Sequence, residues 1–274
     1  VEISAISAAI EITVSVLKLR APGMRLDRMP LFAWYLLITA LMMIVAFPPL
    51  ILGSILLEVE RAFDWPFFDP ARGGSPLLWQ HLFWIFGHPE VYIIFLPAAG
   101  VISTVLPVLA RTRILGYGWI VAALLSLAFL SFGLWVHHMF TTGIPHMALG
   151  FFSAASALVA LPTAVQVFAW IGTLWNGRPE FKLPMLYVMG FFVIFVISET
   201  PFSWSNTTRR QLRPPITSST LGHGLAFSVG RLLSRALLNR LQTTKPASLG
   251  SISADDVRSR SPKIVAREAA IALR

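Results

Sequence analysis

Trp84-Ile85-Phe86-Gly87-His88-Pro89-Glu90-Val91-Tyr92 sets an imidazole, a carboxyl and a phenol inside an apolar run that extends from about 77 to 106. A run of that length exceeds the roughly 20 residues that cross a hydrocarbon core as a helix, so the stretch is predicted to lie in a bilayer. Ionisable groups are expensive at that depth. Where they occur they face a bundle interior and mark a metal site, a redox site or a proton path. His88 and Tyr92 are four residues apart and share one helical face, while Pro89 between them loosens the hydrogen-bond ladder and permits a kink.

Working outward, further apolar segments fall near 2–17, 31–57, 117–139, 147–173 and 184–198. With 55% hydrophobic and only 13% charged residues in a chain of 274, the composition excludes an ordinary soluble domain. The predicted fold class is all-α: a polytopic transmembrane helix bundle of about six spans, the first and last incomplete, forming part of a larger bundle. Helix-stopping chemistry separates the spans at Ala21-Pro22-Gly23, at Asp69-Pro70 with Gly73-Gly74, and at Asn176-Gly177-Arg178-Pro179. No internal repeat is visible. The chain has no cysteine, so thiolate ligands, thiol nucleophiles and disulfides are excluded, and a metal must rest on histidine, carboxylate or neutral oxygen. With no initiator Met, basic n-region or cleavage site at its start, the sequence reads as an internal fragment.

The formal net charge of +9 is unevenly spread. Residues 1–204 carry 10 Lys/Arg and 10 Asp/Glu, whereas residues 205–274 carry 12 and 3. Loop charges alternate along the integral part. Lys18, Arg20, Arg25 and Arg28 follow the first segment, Arg111 and Arg113 the third, and Arg178 and Lys182 the fifth; the intervening loops hold Glu58, Glu60, Asp64 and Asp69, or no formal charge. By the positive-inside rule the basic loops face the cytoplasm or its organellar equivalent. At Ser198-Glu199 the apolar run stops, which divides the chain into a membrane core at 1–198 and a basic, polar tail at 199–274 with little to fold around. That tail reads as non-native or disordered, the product of a truncation or frame change. A weak apolar pattern at Leu225–Leu241 would suit a basic amphipathic helix, but the charge rule opposes it, since a complete sixth span would put this Arg-rich segment on the outer side. Without aromatic interleaving or a compact basic cluster, no nucleic-acid partner is expected; the partner of the core is the lipid bilayer.

Several residues carry candidate chemistry. Trp135-Val136-His137-His138-Met139 ends the fourth segment with two adjacent imidazoles. Residues adjacent on a helix point about 100° apart, yet both rings can reach one ion beside the helix end, and His88 from a neighbouring span would complete a three-nitrogen site. Imidazole-only ligation suits copper, zinc, iron or nickel. The pair would equally meet water or headgroups at the interface. Glu90 is a candidate proton carrier, with a merely hydrogen-bonded carboxyl as the alternative. Tyr92 either satisfies its hydroxyl or, beside a ligating imidazole, supplies a proton and an electron. Thr163 and Gln166, three apart on one face, are polar groups that either hold helices together or line a proton path, which Ser103 would join. His81 and His146 read as interfacial.

Three motifs in order now carry a resemblance: Gln80-His81-Leu82-Phe83-Trp84-Ile85-Phe86-Gly87-His88-Pro89-Glu90-Val91-Tyr92, then Trp135-Val136-His137-His138-Met139-Phe140-Thr141-Thr142-Gly143, then Leu161-Pro162-Thr163-Ala164-Val165-Gln166-Val167-Phe168-Ala169-Trp170. They resemble successive motifs of cytochrome c oxidase subunit I, in the order and spacing of the mitochondrial-like type of haem–copper oxygen reductase. Arg20-Ala21-Pro22-Gly23-Met24 and Phe67-Phe68-Asp69-Pro70 are similar to its connecting segments, and the resemblance covers residues 1 to 198.

The resemblance implies a catalytic-subunit fragment of a terminal oxidase that reduces dioxygen to water with electrons from cytochrome c and translocates protons, working with subunits II and III in a membrane, bacterial plasma membrane rather than mitochondrial inner membrane. His88, His137 and His138 would ligate copper, Tyr92 would be covalently joined to the His88 ring, Glu90 would deliver protons, and Trp84 would pack beside the copper. Ser103 and Thr163 would belong to a second proton pathway leading to Tyr92. The haem is implied too, but its axial ligands would lie outside this fragment, which alone should be inactive. Gln166 departs from the pattern, standing where the family usually has the lysine of that second pathway. Two other readings follow from the residues alone: a non-redox metal or proton transporter, whose usual symmetric halves are not seen, and an inert truncated product.

Overall fold

The computed structural model describes residues 2–208. In chain order their α-helices are α1 Glu2–Lys18, α2 Leu31–Phe63, α3 Pro76–Leu109, α4 Tyr117–Ser131, α5 His146–Leu158, α6 Ala160–Asn176 and α7 Leu183–Thr208. Short 3₁₀ turns occupy Leu26–Arg28, Pro70–Arg72 and Trp135–Met139, and there is no strand among the described residues. The all-α bundle read from the sequence is the architecture observed. α2, α3 and the run His146–Asn176 are long and apolar enough to cross a membrane, and α4 and Leu183–Val196 are shorter apolar helices. Large apolar side chains point outward along the helices, with Phe129 81% and Phe168 70% exposed. Such surfaces suit acyl chains and would be untenable in water.

Departures from the predicted spans have local causes. The segment near 117–139 is not one helix, because α4 stops at Ser131. There the Gly133 N–H donates to the Leu130 carbonyl at 2.9 Å, an i→i−3 bond that tightens the last turn, and the chain re-forms as the 3₁₀ turn Trp135–Met139. The segment near 147–173 is divided at Val159 into α5 and α6. Pro162, lacking an N–H, cannot bond the carbonyl of Leu158 and so opens the ladder at that point. α7 continues to Thr208, past the compositional change at Glu199. The tail from 209 onward, with the Leu225–Leu241 pattern, lies outside the described residues.

The core joins α2, α3, α4, α6 and α7. Tyr35, Ile38 and Met42 of α2 meet Leu96, Ala99 and Ile102 of α3; Ile120, Leu124 and Leu127 of α4, Trp170 of α6 and Phe191 of α7 complete it. α2 and α3 approach closely because Gly100 has no side chain: a Cβ there would stand 2.9 Å from the Cβ of Tyr35. Polar contacts fasten the helix ends. On the acidic-loop side, Glu60 accepts from the backbone N–H groups of Phe68 at 2.9 Å and Asp69 at 3.1 Å, and Arg72 pairs with Asp64 and Asp69. On the basic-loop side, the Arg178 N–H donates to the Ala110 carbonyl at 2.7 Å, and Glu180 pairs with Lys182 and Arg111. Those two cations hold the Glu180 carboxyl below its usual range, Lys182 foremost.

Candidate metal centre

Three imidazoles converge at the acidic-loop half of the bundle. His88 stands on α3, 4% exposed, and the 3₁₀ turn brings His137 and His138 toward it. In a 3₁₀ turn neighbouring side chains diverge by about 120°, so their rings meet only by folding back on one point beside the turn. His88 Nδ1 lies 3.1 Å from His138 Nε2, and His137 Nε2 lies 2.9 Å from that same atom. One nitrogen from each ring falls within 4.8 Å of the others. Two imidazoles bound to one small cation at about 2.0–2.1 Å in tetrahedral array have their nitrogens about 3.3 Å apart, so the spacing fits a first-row metal.

The surroundings fix which nitrogens face inward. Ser156 Oγ donates to the Phe152 carbonyl at 2.6 Å, so toward His137 Nδ1, also 2.6 Å away, it acts as acceptor. That assigns the proton of His137 to Nδ1 and leaves the Nε2 lone pair directed at the centre, the role a hydrogen-bonded partner ordinarily has for a ligating histidine. Trp84 stacks on His138, with ring centroids 4.1 Å apart and planes 5° from parallel, and its indole N–H is held by Gln80 Oε1 at 2.9 Å. Tyr92 presents its ring to His88 edge-on at 5.1 Å. Glu90 is half-buried, and two residues of helix turn it about 200° from His88, to the other face of α3. Of the other described histidines, His81 accepts from the Trp135 indole at 3.2 Å and His146 is exposed; neither faces the centre.

A second polar group lies toward the basic loops. The Tyr35 hydroxyl donates to Gln166 Oε1 at 3.0 Å and is 3.0 Å from Ser103 Oγ, which also receives the Trp170 indole N–H at 2.8 Å. Ser103 and Gln166 are thus linked through Tyr35. Thr163 turns its hydroxyl to the Val159 carbonyl of its own helix at 3.2 Å and stands one turn nearer the histidines than Gln166.

Residues 1–200 match the family model of Cytochrome C and Quinol oxidase polypeptide I. The chain belongs to this family. It is 44% identical over 190 residues to cytochrome c oxidase subunit 1 of Bacillus subtilis, covering 69% of this chain and 30% of the relative. With the protein of the same name from Bacillus sp. PS3 it shares 44% over 192 residues, 70% and 31% of the two chains. With that from Alkalihalophilus pseudofirmus it shares 45% over 179 residues, 65% and 29%. The chain therefore spans about 30% of the length of the relatives it matches.

Of the residues singled out in the sequence of this oxidase-family segment, the three histidines, Trp84 and Tyr92 come together here; Ser156, Gln80 and Tyr35, which contact these groups or Gln166, were not singled out. Ser156 sits in a run of small residues with nothing to distinguish it. Tyr35 carried a usable signal, since a phenol inside an apolar span poses the same question as Tyr92.

Proposed function

We propose that this chain is part of the catalytic subunit of a terminal oxidase in a bacterial plasma membrane, which reduces dioxygen to water with electrons from cytochrome c and couples the reaction to proton translocation. Subunits II and III are its proposed partners. The observation that carries the reading is the convergence of His88 Nδ1, His137 Nε2 and His138 Nε2, with Ser156 fixing the His137 tautomer. All-imidazole ligation with no carboxylate suits copper, which when bound supplies one-electron chemistry and an open position for oxygen. The two remaining described histidines, His81 and His146, offer no axial pair for a haem, whose ligands would belong to the remainder of the complete subunit. The transporter reading is set aside because the chain belongs to an oxidase family.

The chain's own residues have distinct tasks. His137 and His138 would hold the metal from the 3₁₀ turn, and Trp84 blocks ring rotation of His138 by stacking on it. Tyr92, edge-on to His88, is placed to give up the hydrogen of its phenol and is the proposed partner of a covalent link to the His88 ring. Glu90, on the opposite face of α3, takes protons up and passes them toward the oxygen chemistry. Ser103, Thr163 and Gln166 line a second approach from the basic-loop side.

Glu90→Gln in the complete oxidase tests the coupling, because the amide keeps size and hydrogen bonding but cannot exchange a proton. Oxygen binding is expected to persist while turnover with reduced cytochrome c falls by about a hundredfold or more. Unchanged turnover would reduce Glu90 to a structural group.

A further inference from the structure

We infer that Tyr35 is the proton-relaying hydroxyl of the second approach, and that Gln166 serves it as a fixed acceptor rather than as a carrier. This rests on the oxidase reading above and deepens it. Tyr35, Gln166 and Trp170 are 0% exposed and Ser103 is 2% exposed, so their polar atoms answer only to one another and to water that enters. The hydrogen bonds have a direction. Trp170 donates its indole N–H to Ser103 Oγ, and Tyr35 spends its one hydrogen on Gln166 Oε1; Ser103 must therefore donate to the Tyr35 oxygen. An indole N–H and an amide carbonyl do not pass protons on. The two hydroxyls between them do.

The placement suits uptake from the cytoplasmic side. Tyr35 is the fifth residue of α2, Ser103 lies six residues before the end of α3 and Trp170 six before the end of α6, about 6 to 9 Å from helix ends that carry the basic loops. Toward the metal centre, Tyr92 and Ser103 are eleven residues apart on α3, a rotation that returns to within about 20° of one face and a rise of about 16 Å. Leu96 and Ala99, buried on that face, lie between them, and Thr163 is the hydroxyl one turn further along α6. The Gln166 Nε2 donor is buried with no acceptor among the described residues. Buried amide donors in such surroundings are met by internal water, which is what a path of this length requires.

In the relay step the Tyr35 O–H turns from Gln166 Oε1 to a water on the Thr163 side; a proton brought by water from the basic-loop side then bonds to Ser103 Oγ, the hydrogen already on Ser103 passes to the Tyr35 oxygen, and the hydrogen of Tyr35 leaves to that water. Both hydroxyls end with one hydrogen each, and no electron moves. Rotation of the two O–H bonds restores the starting order. Gly100 allows α2 close enough for this, and Thr39, which bonds the Tyr35 carbonyl at 2.8 Å, braces the same turn.

The test uses the complete, cofactor-loaded oxidase with its partner subunits. Tyr35→Phe removes the hydroxyl at constant ring shape. Anaerobic reduction of the oxygen site should slow by about a hundredfold, with an enlarged rate difference between H2O and D2O and unchanged copper content and visible spectrum. Adding Gln166→Lys to Tyr35→Phe puts an ionisable carrier at the same spot and should restore most of the rate. A normal rate in Tyr35→Phe overturns the inference, and so does a slowed rate with an unaltered D2O effect and no recovery in the double variant, which marks a packing role. If the wild-type enzyme itself consumes no oxygen with reduced cytochrome c, the oxidase reading fails instead.

Discussion

Ser156 shows how one hydroxyl decides the state of a proposed ligand. Its hydrogen is committed to the Phe152 carbonyl, so His137 must carry its proton on Nδ1 and offer Nε2 to the centre. Removing such a partner typically weakens metal binding by about 10 to 100-fold. Ser156→Ala should accordingly lose copper to a competing chelator at a correspondingly lower chelator concentration, while Ser156→Thr, which keeps the acceptor, holds it. Equal retention by the alanine variant would mean that His137 is oriented by the turn alone. Gln166 is the complementary case. An amide cannot carry a proton as an ionisable group does, and the sequence shows Gln166 without showing what stands beside it. Tyr35 is distant in the chain and meets Gln166 only because α2 packs against α3 and α6.

At the scale of elements, close approach of α2 and α3 depends on one missing side chain. A Cβ on Gly100 would stand 2.9 Å from Tyr35 Cβ, which is fixed to the backbone and cannot swing away, and 3.0 Å from the Phe32 ring at Cδ2. Gly100→Leu is therefore expected to destabilise the bundle by about 1–3 kcal/mol through overpacking, read as a lower midpoint of thermal unfolding in detergent; an unchanged midpoint would show that the two helices separate freely. The spans of α2 and α3 were legible in the sequence because continuous apolar runs fix them. The end of α4 was not. Apolar character continues through Trp135–Met139, and what stops the helix is the tightened turn at Gly133, a hydrogen-bonding event that hydropathy does not record. The break at Val159 was readable in principle from Pro162, whose missing N–H acts on the carbonyl four residues earlier.

At the scale of the whole molecule, the described residues set two polar sites in one apolar bundle: three imidazoles toward the acidic loops and a hydroxyl–amide group toward the basic ones. The motif His88-Pro89-Glu90-Val91-Tyr92 and the His137-His138 pair made the first legible, because few membrane spans carry such groups without using them. The second was half legible, as Ser103, Thr163 and Gln166 without the Tyr35 that joins two of them. His88, His137 and His138 are proposed to hold one copper in the complete oxidase. Copper is to be measured in purified enzyme from His88→Ala, His137→Ala and His138→Ala, each checked for membrane insertion. Every variant should lose the copper of this site together with oxygen reduction, since a three-ligand centre whose open position is reserved for substrate tolerates the loss of a ligand poorly. Wild-type copper content in any one of the three would contradict the assignment.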